Sequence, residues 1–258
     1  MLMSEVWISE PSMFPHAEVE LQEKLIKKDW DWLIILDAMR WDFWWKHTKM
    51  GKPVRSPASA TREWCLYMKN KMDFSDVVCV NANPEVSRRL GKCFRRDIRL
   101  WDSDWTYVNG IPTVPPDKVV NRALKLVDRK VRVIVWFLQP HFPAPLHDPP
   151  LPVFRAIPHG EIRRVDDRMP AKYILDPRKE IEAGRLTREM IISGYESNIR
   201  WVLGELRRLL DNVRGKKIVI TADHGEMLGE HGYYGHWDGA EYEELRIVPW
   251  VELWPIKN

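Results

Sequence analysis

Five short apolar runs recur along the chain, separated by stretches of helical period. The first, Trp32-Leu33-Ile34-Ile35-Leu36, closes on Asp37 and shows no polar alternation, the pattern of a strand buried on both faces. Val77-Val78-Cys79-Val80 leads into Asn81 and a turn containing Pro84, and Val131 to Leu138 and Lys217 to Thr221 supply two more. Ile247-Val248-Pro249-Trp250-Val251 is a fifth, which Pro249 demotes to an edge or a bulge because proline brings no N–H to a ladder. Helices fall between the runs. Asp117 to Asp128, behind the start signal Pro115-Pro116, sets Val120, Ala123, Leu124 and Val127 on one side. Thr187 to Val213 spaces Tyr195, Ile199, Val202, Leu206 and Leu209 by three and four, while Arg200, Glu205, Arg207 and Arg208 read as its solvated face. The alternation predicts an α/β fold: a mostly parallel sheet flanked by helices on both faces, in one compact domain over residues 1–258. In such sheets active sites gather outside the carboxyl ends of the strands. Residues 139–180 break the pattern with Pro140, Pro143, Pro145, Pro149, Pro150, Pro152 and Pro158, and are expected to form a lid or a substrate-selecting insertion.

Composition narrows the class. A content of 45% hydrophobic residues excludes disorder, and no recurring unit marks a repeat array. Forty Lys and Arg against 37 Asp and Glu are too evenly matched for a dedicated nucleic-acid binder, so no nucleic acid is expected, while an anionic substrate remains compatible. No apolar stretch reaches the roughly 18 residues of a membrane span, so no transmembrane segment is expected. Met1-Leu2-Met3-Ser4-Glu5 lacks the basic and apolar regions of a secretory signal. Cys65, Cys79 and Cys93 form neither a disulfide framework nor a CxxC pair, and the expected compartment is the cytoplasm. Fourteen tryptophans, with Trp41, Trp44 and Trp45 crowded together, are read as packing rather than as a lipid or glycan platform.

The sharpest chemical signal is Thr221-Ala222-Asp223-His224-Gly225-Glu226, followed by Gly229-Glu230-His231-Gly232 and His236. A carboxylate beside an imidazole at a strand end offers two ligands for a divalent metal, and Gly225 lets the backbone pass close; ordinary loop residues are the competing reading. Asp37 also ends a buried strand, where a carboxylate is costly unless it caps, pairs or ligates. Two strand ends each presenting an acid, one with an adjacent histidine, form the pattern of a shared metal site.

Three segments, Ile34-Ile35-Leu36-Asp37-Ala38-Met39-Arg40-Trp41-Asp42, Gln139-Pro140-His141-Phe142-Pro143 and the run from Ile220 to Gly232, together resemble the alkaline phosphatase superfamily, nearest its sulfatase-like hydrolases and transferases. The resemblance spans residues 30–255 in the family's order. It implies a metal held by acids and a histidine at the strand ends, facing a hydroxyl or formylglycine nucleophile. Asp37, Asp223 and His224 match the metal positions. The nucleophile falls within Ser56-Pro57-Ala58-Ser59-Ala60-Thr61-Arg62-Glu63-Trp64, where we place it on Thr61, also a metal contact, with Ser59 and Ser56 as alternates. At a helix N-terminus its oxygen would lie in a positive backbone field; merely capping that helix is the competing role. His141 matches the family's substrate-contacting or second-metal histidine, and we read His141 and His236 as transition-state donors. His147 and His236 offer a second site, but two-metal members usually carry an Asp followed four residues later by a His, so one ion is favoured. Arg40 and Asp42 are expected to pair structurally.

Two departures bear on substrate. The formylglycine signature Cys-x-Pro-Ser-Arg is absent; Ser56-Pro57-Ala58-Ser59 is similar to its serine form, but Ala60 replaces the arginine. Ala38 stands where sulfatases usually carry another metal-binding acid, so Zn²⁺ or Mn²⁺ fits better than a calcium-type cage. The expected activity is a metal-dependent hydrolase or transferase of phosphate esters, a phosphodiester or phosphonate monoester, through a covalent phospho-threonine. Its substrate would be a small anionic ester or a glycan- or lipid-linked one. A sulfuric-ester hydrolase and a non-catalytic metal-containing binding module are the alternatives.

Overall fold

The computed structural model describes residues 19–27, 29–154 and 171–254; the Met1 to Glu5 start and Pro158 lie outside the described residues. Seven strands form the main sheet: β1 (Trp32–Leu36), β2 (Lys52–Arg55), β3 (Val77–Asn81), β4 (Arg96–Arg99), β5 (Arg132–Phe137), β6 (Ile218–Thr221) and β7 (Ile247–Leu253). Their spatial order is β2-β7-β6-β1-β5-β3-β4. β1 pairs in parallel with both β6 and β5, and β3 in parallel with β5 and β4. β7 alone is reversed, antiparallel to β6 and to β2. Every residue of β1, β3 and β6 is buried, so both faces of the sheet's centre are covered, as unalternated apolar runs require.

The principal helices are α1 (Gln22–Ile26), α2 (Trp41–Thr48), α3 (Thr61–Lys69), α4 (Pro84–Leu90), α5 (Pro116–Leu124) and α6 (Arg188–Asn212). α6 starts where its sequence signal lies: the Thr187 hydroxyl accepts from Met190 N at 3.2 Å. No helix among the described residues is long and apolar enough to cross a membrane.

Three expectations change. The helix read to Asp128 ends at Leu124, because the backbone tightens into i→i+3 bonds from Leu126 N to Ala123 O and Val127 N to Leu124 O. Pro249 does not mark an edge: β7 is interior, with Pro249 opposite Pro53 and one residue before the β6 ladder begins at Trp250. Both missing donors thus share one rung. The true edges, β2 and β4, are short and charged, which conceals them from a hydrophobic pattern and blunts them against further pairing. Arg208 is not simply solvated, since it bonds Asn121 Oδ1 at 3.0 Å and so ties α6 to α5. In the proline-rich segment, Phe142, Ala144, Leu151, Val153 and Phe154 are buried, and Val153–Phe154 pairs with Ile174–Leu175. Within the described part of that segment, Phe142, Ala144, Leu151 and Phe154 join the core, while Leu146, Asp148 and Pro149 stay exposed.

Tryptophans do the packing. Trp30, Trp32, Trp64, Trp136 and Trp250 are fully buried, and Trp64 meets Trp136 edge to face at 5.3 Å. Gln22, buried on α1, accepts from Trp64 Nε1 at 2.9 Å and donates to Thr221 Oγ1 at 2.8 Å and Ala222 O at 2.6 Å. Gln22→Leu leaves an indole N–H and a carbonyl buried without partners, and is expected to cost about 1–3 kcal/mol. A urea titration checks this as a lower midpoint at unchanged slope.

Candidate active site

One rung of the sheet sets the site. Ile35 of β1 pairs with Thr221 of β6 and Trp136 of β5, and Trp136 pairs with Asn81 of β3. Asp37, Asp223 and Asn83 each lie two residues beyond that rung, so three parallel strands deliver three polar side chains at one level. The ligand atoms of Asp37, Asp223 and His224 lie within 4.8 Å of one another, all three residues fully buried. His224 Nε2 stands 3.7 Å from Asp37 Oδ1 and 3.4 Å from Asp223 Oδ2. Its Nδ1 faces Gly225 O at 2.7 Å; a carbonyl only accepts, so Nδ1 carries the proton and Nε2 presents a lone pair to the acids.

Thr61 closes the group. It is the first residue of α3, behind Ala60, which makes no side-chain cap, and its Oγ1 lies 2.6 Å from Asp223 Oδ2, 3.2 Å from His224 Nε2 and 3.5 Å from Asn83 Nδ2. Its hydroxyl therefore points into the cluster and does not cap the helix. The alternates are committed elsewhere. Ser56 Oγ donates to Asp223 O, and Ser59 Oγ donates to Trp237 O at 2.7 Å and accepts from Ala240 N at 3.0 Å.

Burial dominates the electrostatics. Burial, then repulsion from Asp223, pushes the Asp37 carboxyl well above its usual range, and burial raises Asp223 to about 6. Burial and the neighbouring His236 hold His224 well below its ordinary value. Asp37 Oδ1 is buried with no hydrogen-bond partner, although Asn83 Nδ2 donates to Oδ2. Two carboxylates, an imidazole lone pair and a hydroxyl converging around an orphaned acceptor are the donor set of a divalent cation, and these residues fit one.

A second cluster adjoins the first: His141, Glu226 and His236 offer ligand atoms within 4.8 Å of one another. His236 Nδ1 donates to Glu226 Oε1 at 2.9 Å, and its ring centre lies 5.0 Å from that of His141 and 4.2 Å from that of His224. Burial opposes the His236 charge, but Glu226 outweighs it and the pKa rises; burial, with His236 close by, lowers His141 to about 4. His141 Nδ1 faces Phe142 O, so the neutral ring keeps its proton there and Nε2 accepts. Of the two imidazoles read as donors, only His236, in its protonated form, offers an N–H at Nε2. His147 instead faces Pro149 O at 2.8 Å. Arg40 pairs with Asp42 at 2.7 Å, and also with Glu230 at 2.9 Å.

Asn83 and Glu226 were not singled out from sequence. Asn83 is the N-cap of α4, its Oδ1 accepting from Glu85 N at 2.8 Å while its amide reaches Asp37. The Asn-Pro pair after a buried strand signals the cap and conceals the second role. Glu226 stood inside the Asp-His-Gly-Glu run, and only the turn back to His236 shows what it does.

No sequence-family model matches the chain, and no curated protein matches it. Solved structures do. The soluble domain of lipooligosaccharide phosphoethanolamine transferase A from Neisseria meningitidis superposes with a TM-score of 0.57 at 12% identity, over 85% of this chain and 75% of that one. The integral membrane form of that protein gives 0.54 at 12% identity over 92% of this chain, which spans about half of its length (49%). A 2-O GAG sulfatase gives 0.54 at 14% identity, over 88% of this chain and 65% of that one. The chain therefore shares the fold of these phosphoethanolamine transferase and sulfatase structures.

A carboxylate whose folded pKa is raised supports the fold only in acid. That support is present below the unfolded value of 3.8 and is lost as pH rises through the raised value, about 6 for Asp223. An ionised Asp223 carboxylate therefore opposes the fold at pH 8. Asp37→Asn removes one of the two charges, so the metal-free variant is expected to unfold at a higher temperature than the unaltered chain at pH 8. The same variant is expected to lose the stabilisation that added Zn²⁺ or Mn²⁺ gives, which thermal melts with and without metal will show.

Proposed function

We propose that this chain is a metal-dependent enzyme acting on phosphoric esters through a covalent phospho-threonine on Thr61. One observation carries the reading: a threonine oxygen at the start of a nine-residue helix, within hydrogen-bond reach of Asp223 and of the unprotonated nitrogen of His224. Asp37, Asp223, His224 and Thr61 would hold one divalent cation, Zn²⁺ or Mn²⁺ by donor chemistry, and such an ion supplies Lewis-acid polarisation and a lower hydroxyl pKa.

The chain's own groups divide the remaining work. Thr61 Oγ1 attacks phosphorus as its proton passes to Asp223 Oδ2, already 2.6 Å away. The P–O bond to the leaving group breaks, and His236 gives that oxygen the proton on Nε2, its charge sustained by Glu226. Water or an acceptor alcohol then attacks phospho-Thr61 while the His141 Nε2 lone pair takes the attacker's proton and passes it to His236, whose ring centre lies 5.0 Å away and which so regains the proton it gave up. Thr61 leaves and recovers its own proton from Asp223. Two imidazoles whose pKa values are driven apart suit the acid and base roles. Hydrolysis and transfer share the first half, and the names of the similar structures, a phosphoethanolamine transferase and a GAG sulfatase, support a lipid- or glycan-linked ester as substrate. The free cysteines Cys65, Cys79 and Cys93 support a reducing compartment such as the cytoplasm.

The test is a panel of phosphate mono- and diesters, phosphonate monoesters and sulfate esters, with Zn²⁺ or Mn²⁺ supplied. Thr61→Ala is expected to lower kcat at least about a thousandfold, and brief turnover by the unaltered chain to add one phosphoryl mass to the Thr61 peptide. Exclusive turnover of sulfate esters, with a mass change in the Ser56–Thr61 peptide, would make the chain a sulfatase instead. The pH profile offers a separate check. His236 acts while protonated, so activity falls as pH rises through its raised pKa, and His236→Gln is expected to lose that alkaline limb while keeping the acid one.

A further inference from the structure

Two buried polar side chains on α6 take no part in the chemistry above, yet both spend their hydrogen bonds on the loops that carry it. Tyr195 and Asn198 lie three residues apart on one face of the helix, both fully buried. Tyr195 Oη donates to Ala38 O at 2.6 Å and accepts from Arg40 N at 3.0 Å, bracketing the residues just after Asp37. Asn198 Nδ2 faces three carbonyls of the next loop, Pro140 O at 3.2 Å, His141 O at 3.0 Å and Pro143 O at 2.7 Å. Three acceptors around one amide nitrogen fix its orientation, since the flipped amide would set oxygen against oxygen. The two loops are joined in turn by His141 N donating to Asp37 O at 3.1 Å.

Each loop needs an outside support for a reason of its own. Pro140 and Pro143 bring no N–H groups, so this stretch has few donors for its own carbonyls. Ala38 sits at φ 62°, a left-handed conformation rare for a residue with a Cβ, and there its N–H reaches Asp223 Oδ1 at 3.2 Å. The helix can come this close because residue 194 is glycine: a Cβ there would fall 2.6 Å from Leu151 Cδ1 and 3.3 Å from the Ala144 Cβ. The Tyr195 ring is itself aimed by Phe43, edge-on at 5.1 Å, and Phe142 at 6.3 Å.

We propose that Tyr195 and Asn198 are positioning residues, Tyr195 setting Asp37 and Ala38 against Asp223, and Asn198 setting His141 against His236. The division of labour rests on the metal-site and acid–base reading above; the hold on the two loops does not.

Tyr195→Phe keeps the packed ring and removes one hydroxyl, and Asn198→Leu keeps the side chain's size and removes the amide. Both are made in the full chain, with Asn198→Ser replacing Asn198→Leu if the latter does not fold. Hydrogen exchange is read at the amides of residues 38–40 and at His141, Phe142 and Ala144; Zn²⁺ affinity is read by chelator competition, and kcat and KM on whichever ester the panel finds. Tyr195→Phe is expected to speed exchange at residues 38–40 and to weaken Zn²⁺ binding about tenfold. The Asn198 variant is expected to speed exchange at residues 141–144 and to lower kcat about tenfold, with Zn²⁺ affinity and KM unchanged. Variants that lose thermal stability while exchange, Zn²⁺ affinity and kcat stay as in the unaltered chain overturn the proposal. An unaltered chain that binds no Zn²⁺ and turns over no ester removes the functional reading, and the exchange data still decide whether the two residues hold the loops.

Discussion

The structure turns on two carboxylates placed where water does not reach. Asp37 and Asp223 are fully buried side by side at the carboxyl edge of the sheet, and burial drives both away from their charged forms. An arrangement of this kind persists only if the surroundings over-determine it. The Thr61 hydroxyl, the Asn83 amide and the Ala38 N–H all aim at these oxygens, and the one left over, Asp37 Oδ1, faces His224. A cation shared by the acids would resolve the conflict that burial creates.

Around that centre the imidazoles are sorted by their second nitrogen. His224 and His141 each give a proton to a backbone carbonyl and keep a lone pair for the site, whereas His236 gives its proton to a carboxylate and remains a donor. The same residue type thus takes opposite roles within a few ångströms because its partners differ, Gly225 O and Phe142 O for two of them and Glu226 for the third. Ser59 shows the complementary case. It is close to Thr61 in sequence, yet its hydroxyl fastens the Trp237–Ala240 turn, where Gly239 N also reaches Glu63 at 3.3 Å.

The scaffold repeats this economy. Gln22 ties α1 to Trp64 and to the end of β6, directly beneath Asp223. Arg40 pairs with Asp42 and Glu230 and donates to Glu226 O at 3.1 Å, joining the turn after β1 to the segment holding the second cluster. Elements distant in the chain are therefore fixed by single polar groups inside apolar surroundings, where a lost hydrogen bond costs more than it would in water.

Much of this was legible in the residues alone. Unalternated runs marked the buried parallel strands, Thr187 marked the start of α6, and acids following β1 and β6, with a histidine beside one, marked the buried cluster that forms the candidate site. These are local signals, written in period, capping chemistry and the cost of an acid after five apolar residues. Register was not local. Nothing in the chain states that Ile35, Thr221, Trp136 and Asn81 share a rung, and that rung is what brings Asp37, Asp223 and Asn83 together. The proton on His141, the second role of Asn83, the spent hydroxyls of Ser56 and Ser59 and the two loops held by α6 likewise depend on neighbours from other strands and turns. Local periodicity decides which segments are strands and helices; pairing between distant segments decides which side chains meet, and the protonation and partners of those side chains follow from that meeting.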